Sequence, residues 1–146
     1  MANDKTIATN RRARFDYDIL ETIEAGIALK GTEVKSLREG NASLSDSFAR
    51  PEGGELFLHH MHIAPYEFGN RANVESLRTR KLLLHKSQIR RIIAEVTQKR
   101  VALIPLKLYF KNGIAKVEIG LAKGKRKYDK RHAIKKREAE REMRQQ

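Results

Sequence analysis

The densest group of side chains able to hold a metal is His59-His60-Met61-His62, with His85 and His132 elsewhere. On an extended strand, His60 and His62 project from one face. With a third ligand from elsewhere and an ordered second shell, they could hold Zn²⁺. The simpler reading is a half-exposed polar strand face. Nucleophilic chemistry has little to draw on. The chain has no Cys, which removes disulfides, thiolate metal sites and thiol nucleophiles. There is no Gly-x-Ser-x-Gly, and Gly26 and Gly31 have neither Walker nor Rossmann spacing. Glu21, Glu24 and Glu33 could serve as paired carboxylates but read more simply as surface charges. No catalysis, metal or cofactor is expected.

The chemistry the chain does favour is the binding of a polyanion. Lys and Arg number 31 against 18 Asp and Glu, a formal net charge of +13. Residues 122–146 hold 11 Lys/Arg and 4 Asp/Glu, and the rest of the chain 20 and 14. Three stations could meet RNA or DNA. The first is Asn10 to Arg14, with Asn10 and Arg11. The second is Arg78, Arg80 and Lys81 ahead of Leu83. The third runs from Lys123 through Gly124, Lys125 and Arg126 to Arg131. Arg grips phosphate bidentately, Lys adds a point charge, and Gly admits a close backbone. Tyr128 is the aromatic among the cations of the third station, as base stacking requires. A membrane surface fits less well, because the C-terminal segment lacks a Leu/Trp/Phe face. No stretch reaches the roughly 20 apolar residues of a membrane span, and no signal peptide is visible. A soluble, cytoplasmic protein is expected.

The elements that must position these stations are mostly strands. Tyr17–Ile23 alternates, with Tyr17, Ile19 and Ile23 on one face; Gly26 marks a bend or bulge, and Ile27 and Leu29 continue the strand. Gly31–Gly40 reads as a short helix capped by Thr32, ended by Gly40, and burying Val34 and Leu37. A hairpin turns at Pro51–Gly54 and returns over Leu56–Ile63. Residues 64–76 read as a long loop. Arg78–His85 reads as a strand. Residues 87–96 form the clearest helix, with Ser87 as cap and Ile89, Ile92, Ile93 and Val96 as its apolar stripe. Val101–Ala122 is a hairpin with a type I′ turn at Asn112-Gly113, and Pro105 demands an edge or a bulge. The fold expected is mainly β with short helices: an OB-like small antiparallel β-barrel over 15–122, with an open α+β sheet as the second choice. A basic arm over 1–14 precedes it, and a basic C-terminal tail over 123–146 follows. The tail is rich in helix formers, but Ile134, Ala139 and Met143 are too few to dock it on the body. It is expected to be disordered when free and helical in an electronegative groove.

In order along the chain, NRRARFDYDI, EAGIALKGTEVKSLREGNASLSDS, RTRKLLLH and GIAKVEIGLAKGKRKYDKR resemble the SmpB family, the SsrA-binding proteins of bacterial trans-translation. The likeness runs from about Asn10 to the C-terminus. It implies an OB-like barrel that binds the tRNA-like domain of transfer-messenger RNA (tmRNA). The family's RNA-facing positions match Asn10, Glu24, Leu83 and Lys116, with Lys123–Arg126 close by. The resemblance further implies that the tail forms a helix in the empty mRNA channel of a stalled ribosome. Asp129, Lys130 and Arg131 would then lie near the decoding centre beside small-subunit RNA, with Tyr128 placed to stack on a ribosomal base. Ile134, Lys135, Lys136, Arg137 and Arg141 belong to that tail. A monomeric adaptor follows, working with EF-Tu and aminoacylated tmRNA, without a small-molecule substrate or a membrane. Two departures are the Asn73–Leu77 stretch, where the family often has an Asp-Pro turn, and Arg126 in place of Lys. The competing readings are a ribosomal protein with a basic extension and a metal hydrolase built on His60 and His62.

Overall fold

The computed structural model describes residues 5–125, 137–139 and 141 of the 146. The elements are β1 (Lys5–Thr9), α1 (Ala13–Asp16), β2 (Tyr17–Ile27), α2 (Gly31–Arg38), β3 (Ala42–Ser43) and β4 (Phe48–Glu52). There follow β5 (Glu55–His59), β6 (His62–Ile63), a 3₁₀ turn (Asn70–Ala72), β7 (Arg80–Leu83), α3 (Lys86–Lys99), β8 (Ala102–Lys111) and β9 (Ile114–Gly124). The main sheet runs β1-β8-β4-β5-β7-β2-β9, and β9 pairs back onto β8. That last pairing closes β8-β4-β5-β7-β2-β9 into an antiparallel OB-like barrel, which leaves few open sheet edges. One edge of β8 serves two partners: β4 at Leu103, and β1 from Lys107 to Phe110. The expected basic arm over 1–14 is therefore, in its described residues, a strand and a helical turn packed on the barrel. Ala13 is buried there. The barrel also ends two residues later than expected, since β9 pairs with β2 as far as Gly124.

Two bulges shape the barrel. β8 slips register between Pro105 and Lys107, as the missing Pro105 donor led one to expect. β2 slips between Ile19 and Glu21, not at Gly26. An extra residue reverses the side-chain alternation. Ile23 therefore packs on the main core, while Tyr17 and Ile19 pack on a second cluster with Ala13, Ile104, Leu106 and Ala122. The single face expected for Tyr17, Ile19 and Ile23 is split by this bulge, and Leu20 is left exposed.

The main core includes Leu37, Leu58, Ile92, Leu108 and Val117, each with no accessible surface. On α3, Ile89 and Ile92 are buried, while Ile93 and Val96 pack partly buried against the core. Its cap is His85, whose backbone N–H donates to Gln88 Oε1 at 3.2 Å; Ser87 lies inside the helix. In α2 the cap is Lys30, whose backbone N–H donates to Glu33 Oε1 at 2.9 Å, and Thr32 is already helical. The buried residues of α2 are Glu33, Ser36 and Leu37, with Val34 half-exposed. The Asn112-Gly113 turn has φ of 52° and 77°, the left-handed pair that a type I′ turn requires.

The strand expected over Leu56–Ile63 is broken. His60 adopts a φ of 63°, Met61 is fully buried, and pairing resumes only at His62. His60 and His62 therefore lose the shared strand face. His59 turns inward, stacks on Phe48 at 5.2 Å between ring centroids, and sits 2.8 Å from Glu52 Oε1. Among the described residues, no three His, Asp or Glu side chains are grouped to hold a metal. No described helix is long and apolar enough to cross a membrane.

Candidate nucleic-acid interface

Three strands align three positions. Gly26 on β2 is opposite Leu83 on β7 and also opposite Lys116 on β9. Glu24 lies two residues back along β2. A groove of about 680 Å³ runs over this ladder, lined by Glu24, Leu83 and Lys116 with Thr22, His85 and Gln88 among its other walls. Leu83 is 49% exposed although it lies on a barrel strand. Gly26 has a direct structural reason: a Cβ there would sit 3.2 Å from Leu83 Cβ. Glycine lets β7 approach β2 and sets the height of Leu83 in the groove.

Glu24 is tied down by its neighbours. Tyr109 Oη donates to its Oε2 at 2.5 Å, and Lys111 Nζ lies 3.5 Å from its Oε1. The Tyr109 hydroxyl is the main cause that holds the Glu24 carboxyl below the usual carboxylate range, with Lys111 and Lys116 assisting. Burial, then the Glu24 carboxylate, pushes the Tyr109 phenol well above its ordinary value. The groove thus presents a fixed carboxylate, a cation and an apolar contact side by side, a set that can meet a ribose hydroxyl, a phosphate and a base. Sequence reasoning missed Tyr109 and Lys111. The only trace they leave is the polar phase of an otherwise apolar strand.

The second sequence station behaves differently. Arg80 has no accessible surface, and Glu33 is 3% exposed. Arg80 Nε donates to Glu33 Oε2 at 2.7 Å, and its other nitrogens donate to the Met61 and Ser76 carbonyls. Arg78 donates to Glu33 Oε1 at 2.6 Å and to the Ala28 carbonyl at 3.3 Å. Burial alone would raise the Glu33 pKa, but Arg78, the Lys30 backbone N–H and Arg80 outweigh it, and the carboxyl is held below its ordinary value. Glu33 is no surface charge, and Arg80 offers nothing to a polyanion. Both are interior because a buried ion is tolerated only when its lone pairs and protons are all matched. Their work is to clamp α2, β7 and the 61–76 segment together. Lys81, on the opposite phase of β7, is exposed, as sequence reasoning expected for the whole station.

The remaining described residues gather at the other end of the β2–β9 ribbon. From Lys116 to Gly124 is roughly 26 Å at 3.3 Å per residue. There Arg11, Lys123 and Gly124 are exposed. Asn10 and Arg11 line a larger cleft of about 810 Å³ that reaches Ser47, Phe48 and Leu103. Asn10 is anchored to the β8 bulge: its N–H donates to the Leu106 carbonyl and its Nδ2 to the Pro105 carbonyl. Lys125 is tied to α1, its N–H to the Asp16 carbonyl and its Nζ to the Arg14 carbonyl at 3.0 Å. The positions expected to face RNA are thus divided between two ends of the barrel.

Of the tail, residues 137–139 and 141 are helical and exposed, and the Arg137 guanidinium lies 5.7 Å from the Phe15 ring centroid. The expectations for Arg126, Tyr128, Asp129, Lys130, Arg131, Ile134, Lys135 and Lys136 lie outside the described residues.

A closed antiparallel barrel on a chain of net charge +13, with a groove that sets a carboxylate, a cation and an apolar side chain side by side, defines the class: a nucleic-acid-binding β-barrel. The family follows from comparison with known proteins. The model of the family described as SmpB protein matches residues 7–146. The SsrA-binding protein of Pelotomaculum thermopropionicum is 61% identical over 139 residues, 95% of this chain and 91% of that one. That of Caldicellulosiruptor saccharolyticus is 63% identical over 140 residues, 96% and 89% of the two chains. A solved chain from "tmRNA-SmpB: a journey to the center of the bacterial ribosome" superposes with a TM-score of 0.69. It is 58% identical, over 86% of this chain and 92% of that one. The chain belongs to the SmpB family.

Proposed function

We propose that this protein is an RNA-binding adaptor of trans-translation. It binds the tRNA-like domain of tmRNA through the barrel and carries it to stalled ribosomes. There its C-terminal tail occupies the empty mRNA channel and decoding centre, so that the nascent peptide is tagged and the ribosome released. The protein performs no catalysis of its own, acts as a monomer in the cytoplasm, and travels with EF-Tu and aminoacylated tmRNA. The observation that carries this reading is the Leu83–Gly26–Lys116 ladder with Glu24 beside it, which brings three of the four matched positions, Glu24, Leu83 and Lys116, into one groove on a chain of net charge +13. The identity to SsrA-binding proteins across nearly the whole chain supports it.

The test is equilibrium binding of the full chain to a tmRNA tRNA-like fragment and to an ordinary tRNA across a salt series. Specific recognition by the groove leaves a clear preference for the fragment at moderate salt. Two affinities that fall together as salt rises would reduce the interaction to charge alone and overturn the reading.

A further inference from the structure

Away from the groove, the loop between β6 and β7 presents exposed aromatic surface. Phe68 is 71% exposed, more than any other large apolar side chain among the described residues. Its ring meets Tyr66 edge-on, with centroids 5.6 Å apart and planes at 72°. Lys35 of α2 places its Nζ 5.5 Å from the Tyr66 ring centroid. A lone exposed ring on a loose loop would carry no meaning. This loop, however, is held at both ends by one side of α2. Ser36 Oγ donates to the Ala64 carbonyl at 2.6 Å, and Thr32 Oγ1 to the Ala72 carbonyl at 3.3 Å. Asn73 locks the middle, accepting from the Tyr66 N–H and donating to the Tyr66 carbonyl, both at 2.9 Å. A Cβ at Gly69 would lie 2.6 Å from Asn73 Oδ1, so the loop closes tightly around that side chain. The clamped loop holds its ring in the open before any partner arrives.

We propose that Tyr66 and Phe68, with Lys35, form a stacking platform for an unpaired RNA base, separate from the β2–β7–β9 groove. The proposal rests on the adaptor reading above and adds a second contact to it. An aromatic face held in place stacks a base at little ordering cost, and a neighbouring cation meets the flanking phosphate. Arg38 and Arg71, both exposed, add charge on α2 and on the loop. Glu67 lies between the two rings in sequence and is exposed. A carboxylate accepts from the exocyclic amine of adenine, guanine or cytosine, and uracil has none. The unpaired base can belong to the tRNA-like RNA or to ribosomal RNA.

The experiment measures binding of the full chain to a tmRNA tRNA-like fragment and to vacant small ribosomal subunits. The variants are Phe68→Ala, Phe68→Leu and Phe68→Tyr, each checked for an unchanged melting temperature, with Lys116→Ala as the groove control. Stacking predicts that Phe68→Ala and Phe68→Leu both weaken one of the two partners by about 5- to 100-fold, while Phe68→Tyr keeps wild-type affinity. The partner affected names the source of the base. Unchanged affinity for both RNAs in Phe68→Ala overturns the platform, and so does lost tagging with both affinities intact, which would assign the ring to a protein partner. Loss in Phe68→Ala with none in Lys116→Ala would leave the platform standing and the groove reading refuted.

Discussion

Glu33 shows how far a residue's role depends on what surrounds it. Its carboxylate satisfies two arginines and a backbone N–H inside the protein. Glu33→Ala would leave the buried Arg80 guanidinium uncompensated, and we expect a loss of about 3–5 kcal/mol in urea unfolding. A loss below about 1 kcal/mol would mean that Arg80 finds water or another acceptor. The same pair has a pH signature. Because the folded pKa of Glu33 lies below the ordinary 4.5, its stabilisation is complete above that value and disappears as pH falls through the folded one. Acid titration of the wild type should therefore show a loss of stability below about pH 4.5 that is smaller in Glu33→Gln; equal acid sensitivity would contradict it. Lys116 belongs to the opposite category, half-exposed beside the groove. Lys116→Ala should weaken RNA binding by about 1–3 kcal/mol and lower the salt slope by about 1, with little change in stability. An unchanged salt slope would place the phosphate backbone elsewhere.

At the scale of elements, the groove depends on how closely β7 approaches β2. Gly26→Ala brings a methyl group to 3.2 Å from Leu83 Cβ, tighter than ordinary contact. We expect a stability cost of about 1 kcal/mol and a larger fractional loss of RNA affinity, because Leu83 must move. Stability lost without any loss of affinity would show that the position of Leu83 is irrelevant to binding. The strand pattern also explains which sequence expectations failed. Tyr17, Ile19 and Ile23 share a phase only on an unbroken strand, and the extra residue at Leu20 breaks it. The His strand fails likewise at His60, where a positive φ ends β5. A bulge or a left-handed residue is a response to distant packing and leaves little mark on local composition.

For the whole molecule, the proposed function gives the barrel and the tail separate tasks. Deleting residues 130–146 should leave binding of the tRNA-like fragment nearly intact, because the groove and the cleft lie within residues 9–116. The same deletion should abolish tagging of stalled peptides in a reconstituted translation system. Tagging that survives the deletion would refute the tail's part in the proposed function. Among the described tail residues, Arg137 meets Phe15 in a cation–π contact of the kind that contributes about 0.5–1 kcal/mol near the surface.

Sequence alone determined the class of partner, the approximate place of the barrel strands though not of β1, α3 with its Ile89, Ile92, Ile93 and Val96 stripe, and the β8–β9 hairpin. These rest on charge, periodicity and turn chemistry, which act over a few residues and are written locally. Only the tertiary structure decided that Arg80 is interior while Lys81, one residue on, faces solvent. It also decided that Glu24, Leu83 and Lys116 share a groove, and that Asn10 and Lys125 are fastened near the other end of the ribbon. The physical reason is that burial and register are set by which strands meet. Gly26 opposite both Leu83 and Lys116 is a fact about three strands, and no one of them contains it.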